Sequence, residues 1–340
     1  MLMFYKIQNC YKKTLHHIIG DWNYFLYDER FHERKVVQQF YNQSDVLLPG
    51  SKTVVYMANG FCNHAGLCDR LKGITTLYGW CKENGVNFRA FHVHPFNLSD
   101  YLVPNLYDWR IDERAICYNR HYTSVNHLML NNLVRRQIES GEISTLEKAW
   151  FQRRLKTMKQ QLHFYTNMQP QSNLLFGTYF RELFKPSDRL ASALNSHMQT
   201  IGENFISISF RFVQLLGDFV DCDGDTLSKT EQEKLICRSI QAIEDIRQHH
   251  QFIPHVLVTS DSVRFLHRAK ALPYVYVIEG KVGHINFEHS DDVNMKTFLD
   301  FLMISNAQKI YLAKSGKMYK SDFARHASMI HNRLFELYNY

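Results

Sequence analysis

Two stretches in the C-terminal half of the sequence end an apolar run with residue types that bind phosphate. SISFRFVQLLGDFVD (207–221) places Arg211 at the end of such a run. An arginine there can donate two charge-assisted hydrogen bonds to a phosphate, and an ion pair with Asp218 or Asp221 is the alternative. VLVTSDS (256–262) ends in hydroxyls and a carboxylate, which equally suit the cap of a following helix.

A third stretch, AKSGKMYKSDFARHA (313–327), combines three lysines with the predicted start of a helix at Ser321 and Asp322. A helix N-terminus presents unpaired N–H groups and a positive dipole end, which suit a phosphate. The carboxylate of Asp322 would compete with that anion if it capped the helix itself. Together the three stretches indicate a ligand that contains a diphosphate.

The stretch MANGFCNHAGLCDRLKGI (57–74) combines glycines with hydrogen-bonding side chains directly after the apolar run TVVYM. Gly60 and Gly66 would allow a sharp turn and a close approach to a ligand. Asn63 and His64 would supply hydrogen bonds. An ordinary turn between a strand and a helix is the alternative.

Two further stretches resemble metal sites only superficially. In DCDGD (221–225) the glycine is misplaced for a calcium loop, and Gln232 stands where a bidentate glutamate is needed. His92 and His94 would project from one side of a strand, without an evident third ligand. We therefore expect no metal ion.

The composition is that of a globular protein with two domains. The 340 residues are 45% hydrophobic and 21% charged, with a formal net charge of +7. The charge favours anionic partners, although the bases are scattered, and no nucleic-acid-binding fingerprint is present. Seven cysteines without a C-x-x-C pair indicate a reducing cytoplasm. We find no signal peptide or membrane span, so contact with a membrane would be peripheral.

Short apolar runs alternate with amphipathic segments, which predicts an α/β fold with parallel sheets. In the N-terminal half we expect the strand TVVYM, a helix over 66–85, the strand NFRAFHVH (87–94) and two helices between 124 and 168. Residues 167–173 form the best linker candidate. The predicted domains are therefore residues 1–168 and 169–340.

The C-terminal half alternates more regularly. The expected strands are 204–212, 255–261, 274–278 and 309–313, and the expected helices are 228–250, 262–272, 296–307 and 321–338. Ser228 and Glu231 fit a capping box. Two such open-sheet domains would enclose a cleft, with ligands at the carboxyl ends of the strands.

These residues resemble the GDP-fucose-dependent fucosyltransferase superfamily, which includes protein O-fucosyltransferases and α1,2- and α1,6-fucosyltransferases. The resemblance runs through short motifs from about Val54 to the C-terminal helix. NGFCNH (59–64) is similar to the family's glycine-aromatic-Gly-Asn-Gln turn: Phe61 and Asn63 match, Cys62 stands where Gly is usual, and His64 where Gln is usual.

The other motifs lie in the predicted second domain. SFRF…GD resembles the family's His-x-Arg-x-Gly-Asp motif, with Arg211 at the β-phosphate arginine, Ser209 replacing the histidine, and VQLL inserted before the final Gly-Asp. Asp261 and Ser262 match a second motif. Asp300 falls where a base-contacting aspartate is found. The segment 321–323 falls on a Ser-Ser-Phe turn at the phosphate, with aspartate as its middle residue.

The resemblance implies a GT-B fold of two Rossmann-like domains and an inverting, metal-independent sugar transfer. It implies that Arg211 holds the β-phosphate, and we expect this residue to be catalytic. From the chemistry of sugar transfer, Asp218 is the second expected catalytic residue, as one of several candidate general bases with Asp69 and Asp221. The implied donor-binding residues are Gly60, Phe61, Asn63, His64, Ser209, Arg211, Asp261, Ser262, Asp300, Ser321, Asp322 and Phe323.

We expect a bacterial fucosyltransferase that uses GDP-fucose, needs no cofactor and acts on a glycan or a lipid-linked glycan. Its location would be the cytoplasm, with peripheral contact at the inner membrane. The alternatives are the same fold with a different nucleotide-sugar donor, and a non-catalytic protein that binds nucleotides or glycans.

Overall fold

The computed structural model describes residues 20–46, 50–129, 143–167, 173–219, 225–285 and 290–340. The helices are α1 Asp21–Phe40, α2 Leu67–Glu83, α3 Ile143–Thr157, α4 Asn173–Leu183, α5 Asp188–Ile201, α6 Lys229–Gln248, α7 Val263–Ala269, α8 Asp291–Asn306 and α9 Phe323–Ile330. The strands are β1 Thr53–Ala58, β2 Asn87–His92, β3 Leu102–Pro104, β4 Thr123–Leu128, β5 Gln161–Thr166, β6 Phe184–Pro186, β7 Phe205–Phe210, β8 His255–Ser260, β9 Val275–Tyr276, β10 Lys309–Lys314 and β11 Leu334–Asn339.

The described residues divide into two compact units. Of these residues, the first unit comprises 20–46, 50–64, 69–94, 108–129 and 143–167, and the second comprises 65–68, 95–107, 173–219, 225–285 and 290–340. The predicted boundary after residue 168 and most of the predicted linker lie outside the described residues.

The first unit contains a four-stranded parallel sheet in the order β2-β1-β5-β4. β5 is buried along its whole length, which fits a parallel sheet covered on both faces. α2 approaches this sheet closely at Gly73, where a Cβ atom would lie 2.3 Å from the carbonyl oxygen of Thr166. Glycine therefore sets the distance between this helix and the sheet.

The prediction of two helices between 124 and 168 was wrong at both ends of that range, where the structure has β4 and β5. α3 confirms a helix after Gly141, and most of the segment before Gly141 lies outside the described residues. Both strands are almost entirely buried although they contain several polar residues, so their hydropathy does not show the pattern of a buried strand. The prediction for 87–94 also needs correction. β2 ends at the buried His92, and His94 is exposed beyond it, so the two rings do not project from one side of a strand.

The second unit contains a five-stranded parallel sheet in the order β11-β10-β7-β8-β9. The central strand β7 is fully buried. The predicted capping box is confirmed at the start of α6: the Glu231 N–H donates to Ser228 Oγ, and the Ser228 N–H donates to the Glu231 carboxylate. The predicted order of strands and helices is confirmed up to α9.

The predicted final helix over 321–338 was wrong in its second half. α9 ends at Ile330, Asn332 adopts a left-handed conformation with φ of 52°, and β11 follows. β11 is an edge strand whose burial largely alternates, but its apolar residues at 334, 335, 337 and 338 have a spacing that also fits an amphipathic helix. The strand predicted over 274–278 is limited to Val275–Tyr276.

Residues 95–107 complete the second unit from a distant part of the chain. β3 pairs antiparallel with β6. The Tyr101 hydroxyl donates to Asp291 Oδ1 at 2.7 Å, and its ring stacks on Phe298 with centroids 4.7 Å apart. None of the helices in the described part of the chain combines the length and apolar character needed to cross a bilayer.

Candidate functional site

Arg211 follows the central strand of the five-stranded sheet, between the ends of its two neighbours. β7 pairs with β8 on one side and with β10 on the other, and all three strands are parallel. The N–H of Tyr319, from the loop after β10, donates to the Arg211 carbonyl at 3.0 Å. Arg211 therefore lies at the carboxyl edge of the sheet, where open α/β sheets bind ligands.

Asp261, which follows β8, organises the turn that carries Arg211. Its carboxylate accepts hydrogen bonds from the N–H groups of Phe212 at 2.8 Å and Val213 at 2.7 Å. The Arg211 Nε lies 3.3 Å from Asp261 Oδ2. Burial raises the pKa of Asp261, opposed by Arg211 and the two backbone donors. The sequence suggested Asp218 or Asp221 as the acidic partner of Arg211. The structure shows a pair with Asp261, and Asp221 lies outside the described residues.

The Arg211 side chain is held in place but reaches solvent. It is 22% exposed, and its guanidinium carbon lies 4.5 Å from the centroid of the Phe219 ring. Val213 adopts a left-handed conformation with φ of 57°. This is costly for a β-branched residue and persists only where its surroundings enforce it, here through Asp261. The turn after β7 thus stores strain next to a positioned guanidinium.

Ser262 and Asp218 support the start of α7. Ser262 is its N-cap, and Ser262 Oγ accepts from the Phe265 N–H at 3.1 Å. Asp218 Oδ2 accepts from Ser262 Oγ at 2.7 Å and from the Arg264 N–H at 3.0 Å. The capping alternative for VLVTSDS is therefore what the structure shows for Ser262.

Ser209 is buried near the end of β7, where its hydroxyl forms a 2.8 Å hydrogen bond with the hydroxyl of Thr259 on β8. This contact joins the two strands whose ends carry Arg211 and Asp261.

The segment 321–323 forms the start of α9. Ser321 Oγ accepts from the Phe323 N–H at 3.2 Å, and the Phe323 ring packs against Phe301. Asp322 occupies the N-cap position without a side-chain cap hydrogen bond, and its carboxylate lies 3.9 Å from Arg325. The sequence suggested that the Asp322 carboxylate could cap α9 and compete with a bound anion. At the described start of α9, Asp322 forms no such capping hydrogen bond.

Asp300 lies within α8 in a buried ion pair. Both of its carboxylate oxygens accept from Lys296 Nζ, at 2.8 and 2.6 Å. Burial raises the pKa of Asp300, and Lys296 opposes that effect. Lys296 also packs against Gly280, where an added Cβ would lie 2.9 Å from its Cδ. The pair therefore braces the segment after β9 against α8.

In the NGFCNH turn of the first unit, some side chains are exposed to solvent and others are buried. Gly60 has φ of 90° and Asn63 is exposed. The Phe61 ring stacks on Phe40, with centroids 3.7 Å apart. His64 is 1% exposed, its Nδ1 bonds to the Cys62 carbonyl at 3.1 Å, and burial lowers its pKa well below the usual value. Phe61 and His64 thus shape the turn from inside.

The second unit brings five of the predicted residues together around the carboxyl ends of β7 and β8: Ser209, Arg211, Asp218, Asp261 and Ser262. Sequence reasoning missed Tyr319, which is 49% exposed and bonded to the Arg211 backbone. An aromatic residue between two lysines in a loop after a strand was the available signal. It also missed Lys296, one helical turn before Asp300.

The structure describes only part of the two stretches named earlier as metal candidates. Residues 221–224 lie outside the described residues. In the remainder, no group of three or more His, Cys, Asp or Glu side chains is arranged to hold a metal ion.

Comparisons with known proteins show similarity in structure alone. No protein-family model matches the sequence. No curated protein is detectably similar in sequence. Fucosyltransferase NodZ from Bradyrhizobium superposes with a TM-score of 0.53 and 12% identity, covering 82% of this chain and 92% of that chain.

Two ligand-bound structures show the same similarity. NodZ α-1,6-fucosyltransferase soaked with GDP-fucose gives a TM-score of 0.51 and 11% identity, over 83% of this chain and 93% of that one. A mutant of Arabidopsis thaliana FUT1 in complex with GDP gives 0.50 and 12%, over 90% and 74%. The predicted fold class is confirmed: this chain has the GT-B fold of the fucosyltransferases that its motifs resemble.

Proposed function

We propose that this protein is an inverting, metal-independent glycosyltransferase that transfers fucose from GDP-fucose to a glycan or a lipid-linked glycan. The observation that carries the proposal is the setting of Arg211. Its guanidinium follows the central strand of a parallel sheet, is oriented by Asp261, and remains partly exposed. The fold is that of proteins whose structures contain GDP or GDP-fucose.

The chemistry follows from the charge that develops when the glycosidic bond to the diphosphate breaks. Negative charge accumulates on the β-phosphate and positive charge on the anomeric carbon. Fixed positive groups at the phosphate then lower the barrier, because they require no reorganisation. We assign this role to Arg211, assisted by the N-terminus of α9 at Ser321–Phe323.

We do not assign the general base to Asp218. One of its carboxylate oxygens already accepts from Ser262 and from the Arg264 N–H, which explains its position as support for α7. A transition state with strong cationic character at the sugar also needs little deprotonation of the acceptor before bond formation.

Calorimetric titration of GDP and GDP-fucose tests the proposal with wild type, Arg211→Lys and Arg211→Ala. We expect wild type to bind both. Loss of the charge-assisted contacts in Arg211→Ala should weaken binding about tenfold to a hundredfold, and the transfer rate should fall by about a hundredfold or more. Arg268→Ala is the matched control, because Arg268 is exposed and pairs with Glu233. If wild type binds neither ligand, the proposal fails.

A second candidate keeps the fold and changes the donor. The specific observation is that Lys296 engages both oxygens of Asp300, the residue that the family motif places at the base. A panel of UDP-, CMP- and GDP-sugars in a donor-hydrolysis assay separates the candidates. Binding of a donor without hydrolysis or transfer would instead indicate a non-catalytic binding protein.

A further inference from the structure

The exposed side of α1 carries two aromatic rings and three bases. Tyr27 and Phe31, one helical turn apart, are 54% and 52% exposed. Arg34 lies on the same face, and Arg30 and Lys35 flank it, all three exposed. Lys35 Nζ lies 4.6 Å from the centroid of the Phe31 ring. We call these five residues the α1 outer face.

Glu29 and Glu33 lie on the opposite side of α1, where they contact other residues of the first unit. Glu29 Oε2 is 2.5 Å from His127 Nδ1 and accepts the Met129 N–H at 3.1 Å. Both oxygens of Glu33 accept from Arg154 at 3.0 Å.

Asp28 lies at the margin of the outer face, 3.8 Å from His32. Because the glutamates are paired inside, the outer face is basic although the helix as a whole is mixed in charge.

Bases beside half-exposed aromatic rings match the surface of an anionic bilayer. Lysine and arginine are attracted by anionic headgroups, and aromatic rings enter the boundary between headgroups and acyl chains. We propose that the α1 outer face binds an anionic lipid surface and holds the protein there as a peripheral protein. This surface is independent of the donor chemistry proposed above.

The expected strength is moderate and depends on lipid charge. A basic residue near an anionic leaflet strengthens binding about fivefold, so three such residues give about a hundredfold if their effects add. The two rings are already half-buried against the helix, so burying the rest of their surface in lipid strengthens binding by about a further tenfold. Neutral vesicles should therefore retain little of the protein.

Co-sedimentation of the full chain with phosphatidylcholine vesicles, with and without phosphatidylglycerol, tests the proposal. The first variant reverses three charges (Arg30→Glu, Arg34→Glu, Lys35→Glu). The matched control reverses three exposed charges elsewhere (Lys185→Glu, Lys229→Glu, Lys234→Glu), so that both variants have the same net charge. A third variant, Tyr27→Ser with Phe31→Ser, removes the rings.

We expect wild type and the matched control to sediment with phosphatidylglycerol vesicles. The α1 charge variant should lose about a hundredfold or more in partition coefficient, because it removes three attractions and adds three repulsions, and the ring variant should lose about tenfold. Circular dichroism and GDP titration should be unchanged in every variant.

The proposal is overturned by three outcomes: wild type fails to bind phosphatidylglycerol vesicles, the two charge variants lose binding equally, or the α1 variants change only the oligomeric state or binding to single-stranded nucleic acid.

Discussion

Replacing Gly177 with alanine should displace α9 from α4. Gly177 lies within α4, and a Cβ atom built there would be 1.8 Å from the carbonyl oxygen of Met329 and 2.6 Å from its carbonyl carbon. Both contacts are with backbone, so no side-chain rotation can relieve them. The two helices must separate for the variant to fold.

The cost can be worked from these distances. Contacts of a Cβ atom below 3.0 Å are essentially never seen, so the Met329 carbonyl must retreat by more than an ångström. Overpacking that is relieved by movement of side chains lowers stability by about 1–3 kcal/mol. A clash with the backbone should therefore lower it by about 3 kcal/mol or more. The greater helix propensity of alanine offsets at most about 1 kcal/mol of this loss of stability. We expect a net loss of about 2–3 kcal/mol.

Urea denaturation, with amide hydrogen exchange read on α4 and α9, measures this loss. Exchange should accelerate in both helices, and GDP binding should weaken because α9 begins at the proposed phosphate site. Ser196→Ala, on the exposed surface of α5, is the control for helix propensity and should be neutral or slightly stabilising. If Gly177→Ala stabilises the protein as this control does, the close packing of α4 and α9 is refuted.

Three further changes test other parts of the structure. Asp261→Asn should lower the free energy of unfolding by about 1–3 kcal/mol, because the amide can accept only one of the two backbone N–H groups and leaves the other unpaired. It should also weaken GDP binding in calorimetry because Arg211 loses its orienting partner, and an unchanged affinity would contradict this role. Ser228→Ala should cost about 1 kcal/mol in urea denaturation by breaking the capping box with Glu231, and an equal loss in Glu231→Ala would support reciprocal capping. Burial lowers the pKa of His163 to about 3, so its stabilising contribution is complete above pH 6.5 and is lost as the pH falls towards 3. Going from pH 7 to pH 5 should cost about 2 kcal/mol in the first unit, measured by amide exchange of β5, and His163→Gln should remove this part of the loss.

The alternation of strands and helices in the second unit could be predicted because its signals are local. The capping box marks the start of α6, and short apolar runs bounded by polar turns mark β7, β8 and β10. The exceptions have physical reasons. β11 has apolar residues at 334, 335, 337 and 338, a spacing that also fits a helix. β5 is fully buried although it contains Gln161, His163 and Thr166, so hydropathy alone does not show it as a strand.

The candidate site could be predicted in position but not in its contacts. A strand end followed by Arg211 is visible in the sequence. Its partner Asp261 is 50 positions away and becomes a neighbour only because β7 and β8 pair in parallel. The same carboxylate enforces the left-handed conformation of Val213, which the usual backbone preferences of valine do not predict. Pairing between elements, rather than residue type, determines these features.

The contribution of residues 95–107 to the second unit has a practical consequence for protein engineering. A fragment cut at residue 172 would retain β6 without its partner β3, and would expose the face of Phe298 that Tyr101 covers. Such a fragment should aggregate or misfold, whereas one in which residues 95–107 are fused ahead of residue 172 through a flexible linker should be soluble. Donor binding by the isolated second unit should therefore be measured on the fragment in which residues 95–107 precede residue 172.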